Sequence, residues 1–142
     1  GMTYLDRVET KWPLRIQLPI GTQVPFHCTA SGKMYLSTLR DSTLEAVLNS
    51  RSLEGLTEKT IITSDALRAE LAETRKRGYS QDDEEFMLGM TAVAVPVIDS
   101  TGRLMATLSV HAPGQRHSIA NLIQFLPNLK DAAGKLSDLH ST

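Results

Sequence analysis

A single cysteine, Cys28, stands in the 142 residues of this chain. It excludes an intramolecular disulfide framework and fits a reducing compartment, so a cytoplasmic location is expected. No apolar run approaches the roughly 18 residues of a membrane helix, and the N-terminus carries no signal-peptide pattern. Neither sign of charge dominates: 15 basic and 16 acidic residues leave a net charge of -1. Without a basic stripe or an Arg-rich arm, the chain has no electrostatic footprint for nucleic acid. The stretch Ala30-Ser31-Gly32-Lys33-Met34 echoes a phosphate loop, but His27 and Met34 stand where that loop needs Gly and Ser or Thr. His27, Cys28 and Ser31 lack an orienting partner or a nucleophile elbow, so capping or packing is expected of them. Asp82-Asp83-Glu84-Glu85 could suggest a metal site, but reads better as a capped helix N-terminus. No motif calls for a metal or an organic cofactor.

What remains is the composition of a soluble globular domain, 41% hydrophobic and 22% charged, long enough for one buried core. Residues 3–9 alternate as a strand. Lys11-Trp12-Pro13 interrupts it, and Leu14, Ile16 and Leu18 alternate again until Pro19 and Gly21 close the second strand. Trp12 and Tyr35 read as packing residues. A helix is expected from about Thr29 to Leu39, and a second around Leu44, Val47 and Leu48 with Asp41 or Ser42 as its cap. The third has agreeing start, face and stop signals: Thr63-Ser64-Asp65, then Leu67 and Leu71, then Arg75-Lys76-Arg77 before Gly78. Glu73 is expected to face Arg77 at i+4. Ala92–Ile98 is a continuous apolar run, Asp99-Ser100-Thr101-Gly102 a turn, and Leu104–His111 a return strand. Ser118–Leu139 has helical periodicity that Pro127 is expected to kink or break, and His117 precedes it with no ligand spacing. Strands, three helices, a hairpin and a closing helix predict an α+β fold with an antiparallel sheet.

A turn centred on Ser100-Thr101 would pair Ala94 with Thr107, Ala92 with Ser109 and Met90 with His111. Side chains alternate along strands, so these residues share one face, and Val93, Val95, Val97, Leu104, Ala106, Leu108 and Val110 share the other. A face of two alanines, two hydroxyls and an imidazole suits a small polar pocket. Two readings stand: a pocket wall, or a stripe exposed to solvent.

Four ordered stretches then resemble a known family. Gly21-Thr22-Gln23-Val24-Pro25-Phe26-His27-Cys28-Thr29-Ala30-Ser31-Gly32-Lys33 is similar to the Gly-x-x-x-Pro-(apolar)-His-x-(Thr/Ser)-Ala-x-Gly-Lys stretch of IclR-type transcriptional regulators. Arg75-Lys76-Arg77-Gly78-Tyr79-Ser80 with Glu84-Glu85 and Gly89 resembles a second motif. Ala94-x-Pro96-Val97-x-Asp99 and Leu108-Ser109-Val110 complete the series. The resemblance implies a GAF-like effector-binding domain over residues 1–142: a curved antiparallel sheet flanked by helices, with a small-acid site in its cup. Nothing here resembles the family's winged helix-turn-helix, and the opening strands look clipped. Homodimers or homotetramers, and DNA contact only through that other domain, are implied as partners, with no membrane and no catalysis. By the resemblance, the effector meets the amides of Ala30 and Ser31, the carboxylate of Asp82, Ala92 with its neighbour Met90, and Ser109 and His111. Ala92 replaces a frequent Cys and His111 a frequent Ser, which suits a larger hydroxylated or aromatic carboxylate. The rival readings are an enzyme on the same scaffold, such as a methionine-sulfoxide reductase, which would need several cysteines, and a domain that only dimerises.

Overall fold

The computed structural model describes residues 3–9, 15–23, 25–114 and 118–140. Five antiparallel strands form one sheet in the order β1-β2-β5-β4-β3. They are β1 (Thr3–Glu9), β2 (Arg15–Gln23), β3 (Ser80–Asp83), β4 (Met90–Ile98) and β5 (Leu104–Pro113). The helices are α1 (Ala30–Ser37), α2 (Asp41–Ser50), α3 (Ser64–Arg77), α4 (Ile119–Ile123) and α5 (Leu126–His140). The expected Lys11–Pro13 break, Trp12, Leu14 and His117 lie outside the described residues.

β4 and β5 divide their side chains between two helical layers. Val93, Val95, Val97, Leu108, Val110 and Ala112 form the main core with Leu122, Leu126, Leu129 and Ala133 of α4 and α5. On the opposite face Ala92 and Ala94 pack under Ala30 and Met34 of α1. Behind α1, a further cluster joins Phe26, Leu36, Leu44, Leu48, Leu67 and Leu71 across α1, α2 and α3. The alternation read from the sequence thus holds on both faces, but the polar face is covered rather than solvent-exposed, because α1 lies across it.

α3 follows its signals closely. Thr63 Oγ1 accepts from the Ala66 amide, and Gly78 ends the helix at φ 78° in the left-handed region. Several expectations are corrected. Asp41 opens α2 from inside its first turn, and the cap position falls to Arg40, whose side chain makes no cap bond. Arg77 reaches back two turns to Glu70 at 2.8 Å, while Glu73 pairs with Lys76. β2 continues through Pro19 and Gly21, since Pro19 falls where the β1 pairing is irregular and no regular ladder bond is lost. Of the kink or break expected at Pro127 the structure has the break: two helices form, and the proline sits in the first turn of α5, where its missing N–H costs nothing.

The hairpin register is also corrected. Ala94 faces Ser109, Ala92 faces His111 and Met90 faces Pro113, each partner two residues beyond the expected one. The cause is the loop. Asp99 Oδ1 accepts from the amides of Thr101 and Arg103 at 2.8 and 2.9 Å, the Asp99 amide bonds Arg103 O, and Gly102 takes φ 84°. That wider loop, with an irregularity at Val97/Ile98, replaces a two-residue turn. A shift of two preserves side-chain parity, so residues 90–97 and 106–111 keep their predicted faces, while Leu104, beyond the irregularity, pairs with Ile98 instead.

Candidate functional site

Two rows cross the sheet beneath α1. Ser80, Ala94, Ser109 and Gln17 are register partners on β3, β4, β5 and β2; Asp82, Ala92, His111 and Arg15 form the next row. Neighbouring strands lie about 4.8 Å apart, so Asp82 and His111 flank Ala92 with roughly 10 Å between their backbones. Between them Ala92 and Ala94 present only methyl groups, which pack against Ala30 and Met34 of α1. Ser109 Oγ and His111 Nε2 lie 3.1 Å apart, so the two polar tips of β5 act as one unit. Met90, half-buried, stands at the end of β4 opposite Pro113 rather than His111.

The roof is the first turn of α1. Thr29 caps it, accepting from the Gly32 amide at 2.9 Å and donating its hydroxyl proton to Pro25 O at 2.6 Å. Helix geometry provides no internal acceptor for the Ala30 and Ser31 amides, so this end favours an anion. Gly32 is required here by close approach: a Cβ would lie 2.5 Å from Phe26 Cα and 2.6 Å from the Pro25 and Phe26 carbonyl oxygens. The Ser80 hydroxyl donates to Ala30 O and ties β3 to the same turn.

Asp82 sits in β3, not at the helix N-terminus expected of its acidic run. The capping chemistry is present without a helix. Asp82 Oδ1 accepts from the amides of Glu85 and Phe86 at 2.8 and 3.3 Å, but Glu84 turns to φ 57° and Gly89 to φ 83°, so the chain folds back into β4. Burial, reinforced by the charge of Glu85, pushes the Asp82 carboxyl up to about 7, against those amide bonds and Lys33. Cys28, on the approach to α1, is fully buried, and burial with the charges of Asp82 and Glu85 pushes its thiol up to about 12. So protonated a thiol is a poor nucleophile. His27 Nε2 bonds Glu54 O at 2.7 Å, which is the packing role expected of it.

The structure therefore sets Asp82, Ala92, Ser109 and His111 on neighbouring strands of the face that α1 covers, with Ala30 and Ser31 in the first turn of that helix and Met90 at the end of β4. Sequence reasoning missed Ser80 and Lys33, and it placed Thr107 on the pocket face without giving it a role. Thr107 lies on the cup face with its hydroxyl buried and without a hydrogen-bond partner. Lys33 is fully buried and bonds both carboxylate oxygens of Glu85 at 2.8 and 2.9 Å. Its partner lies 52 residues away in sequence, so no local pattern announces the pair.

An antiparallel sheet with helices packed on both faces defines a GAF-like α+β domain. The family model described as the bacterial transcriptional regulator IclR C-terminal domain matches residues 1–138. The chain is 43% identical over 135 residues to the probable transcriptional regulator SauR of Cupriavidus necator, covering 95% of this chain and 54% of SauR. It is 32% identical over 121 residues to the transcriptional repressor IclR of Escherichia coli K12, covering 85% of this chain and 44% of the repressor. Among solved structures, the inducer-binding domain of an Acinetobacter PobR double mutant in complex with 3-hydroxybenzoic acid superposes with a TM-score of 0.80 at 32% identity, covering 84% of this chain and 69% of that one. The C-terminal domain of E. coli KdgR superposes with a TM-score of 0.80 at 29% identity, covering 96% and 85%. This chain belongs to the IclR family of bacterial transcriptional regulators, matching its C-terminal domain. It spans about half the length of the curated relatives it matches.

Proposed function

We propose that the chain is the effector-sensing domain of a bacterial transcriptional regulator and that its ligand is a small carboxylate held in the cup. The observation that carries this reading is the convergence of three unlike groups on one alanine floor: the Ala30 and Ser31 amides, the Asp82 carboxyl, and the Ser109–His111 pair. The carboxylate docks on the amide end of α1, where backbone dipoles favour negative charge. Ser109 and His111 read oxygens on the far side, and Asp82 accepts from a hydroxyl. The roughly 10 Å between the flanking strands suits a ring-sized acid, and the PobR neighbour binds 3-hydroxybenzoic acid. Binding draws α1 and the sheet together and shifts a pre-existing equilibrium between oligomeric arrangements, which repositions helix-turn-helix domains elsewhere in the protein.

Titration calorimetry of this chain with acetate, pyruvate, succinate, benzoate and 3-hydroxybenzoate tests the assignment. At least one acid is expected to bind, with roughly tenfold or greater weakening in Ser109→Ala and in His111→Ala, the cost of about one lost hydrogen bond to a charged group. Undiminished binding by both variants would discard the site. Native mass spectrometry of freshly purified protein gives an independent reading, since a retained effector adds its own mass.

A further inference from the structure

We infer that Lys33 and Glu85 form a positioning pair that holds the anion-binding turn of α1 and the Asp82 carboxyl at a fixed separation, so that effector affinity is set through an ion pair that never touches the effector. The inference rests on the effector reading above. Lys33 belongs to the same first turn as Ala30 and Ser31. Its ammonium bonds both oxygens of Glu85, at 2.8 and 2.9 Å, and lies 3.9 Å from Glu70. Glu85 is the hub of the opposite wall. Its amide donates to Asp82 Oδ1 at 2.8 Å, and its Oε2 accepts from the Asp83 amide at 3.0 Å. Its carbonyl accepts from Thr60 Oγ1 at 2.6 Å. One residue thus joins α1 to both residues that end β3. Glu70 extends the chain of charges to Arg77 at the end of α3, 2.8 Å away.

A purely structural account is weaker. Desolvating an ammonium and a carboxylate offsets their attraction, so a buried pair adds little net stability over apolar residues of similar size. What an apolar pair cannot supply is direction: a forked bond fixes where Glu85, and with it the Asp82 clamp, stands relative to α1.

The variants are Lys33→Met, Glu85→Gln and the double variant Lys33→Met/Glu85→Met of the 142-residue chain. They are compared by thermal melting, calorimetry with whichever of the five acids the parent binds, and hydrogen exchange. Each single variant leaves a charge or its partner unmatched and melts lower. The double variant is expected to melt above either single variant while binding the acid roughly tenfold or more weakly, with amides of Glu85 and Phe86 exchanging faster to a similar degree. Glu85→Asp, which keeps the charge and shortens its reach by one carbon, is expected to fold and to show the same two losses. Parent-like affinity in both the double variant and Glu85→Asp overturns the inference, and so does unchanged exchange at those amides. The exchange arm needs no ligand; if the parent binds none of the acids, the effector reading fails separately, and the positioning pair falls with it.

Discussion

Replacing Asp82 with Asn should make this domain more stable at neutral pH, an unusual outcome for a buried polar residue at a binding site. Burial and the neighbouring Glu85 charge raise the Asp82 carboxyl from 3.8 to about 7, so the native state keeps a proton that the unfolded chain releases. Its stabilising contribution is therefore full below about pH 4 and is lost as pH rises toward 7. The shift of about 3 units, at about 1.4 kcal/mol each, amounts to about 4 kcal/mol above pH 7. An asparagine oxygen can still accept from the Glu85 and Phe86 amides, now 2.8 and 3.3 Å from Asp82 Oδ1, so the clamp survives. Lys33 retains its forked bond to Glu85. Urea unfolding of parent and Asp82→Asn across pH 4 to 8 reads the difference directly. The variant's advantage is expected to grow from near zero at the acid end, through about 2 kcal/mol at pH 5, to about 4 kcal/mol at pH 8. In melting this is a shift on the order of 10 °C at pH 8. An advantage that does not change with pH, or a variant less stable than its parent at pH 8, would refute the reasoning. The same substitution should weaken binding of a hydroxylated acid more than that of its unhydroxylated counterpart, because a primary amide accepts a hydroxyl proton less strongly than a carboxylate.

Two further outcomes follow from packing. Gly32→Ala would gain roughly 1 kcal/mol of helix propensity. Its methyl, however, meets backbone atoms of Pro25 and Phe26 at 2.5–2.6 Å, so a net loss of more than about 2 kcal/mol is expected, measurable by denaturant unfolding. Cys28 is completely buried with its thiol raised from 9.0 to about 12. A thiol-reactive dye should therefore label it only as fast as the native state opens, while in denaturant it reacts at once; fast labelling of the native chain at pH 8 would contradict that burial. Because the thiol is raised, the stability it contributes is fully present below pH 9 and declines as pH rises from about 9 toward 12.

Much of the site was legible because its parts are periodic or local. Parity along each strand pairs Ala92 with Ala94 and Ser109 with His111, and because the loop moved the register by two residues and not one, both pairs stayed on one face. The Thr29–Gly32 cap is equally local, as are the start and stop of α3. β3 was less accessible. Four polar residues, Ser80 to Asp83, carry no apolar alternation, and they pair with β4 only because Ser80 anchors to Ala30 and the turn at Glu84 sends the chain back. Asp82 was named as a site residue, yet its acidic neighbours read as a helix start, since capping oxygens look alike whether or not a helix follows.

The sequence by itself determined the IclR family, the α+β class, and the two-faced hairpin, because motif order and side-chain period are properties of the chain alone. Only the tertiary structure decided that the polar face is roofed by α1 rather than open to water. It alone decided that Asp82 is buried deeply enough to hold its proton near neutrality, and that Lys33 finds Glu85. Each depends on which distant segments exclude water from a group, and burial of that kind is created by packing.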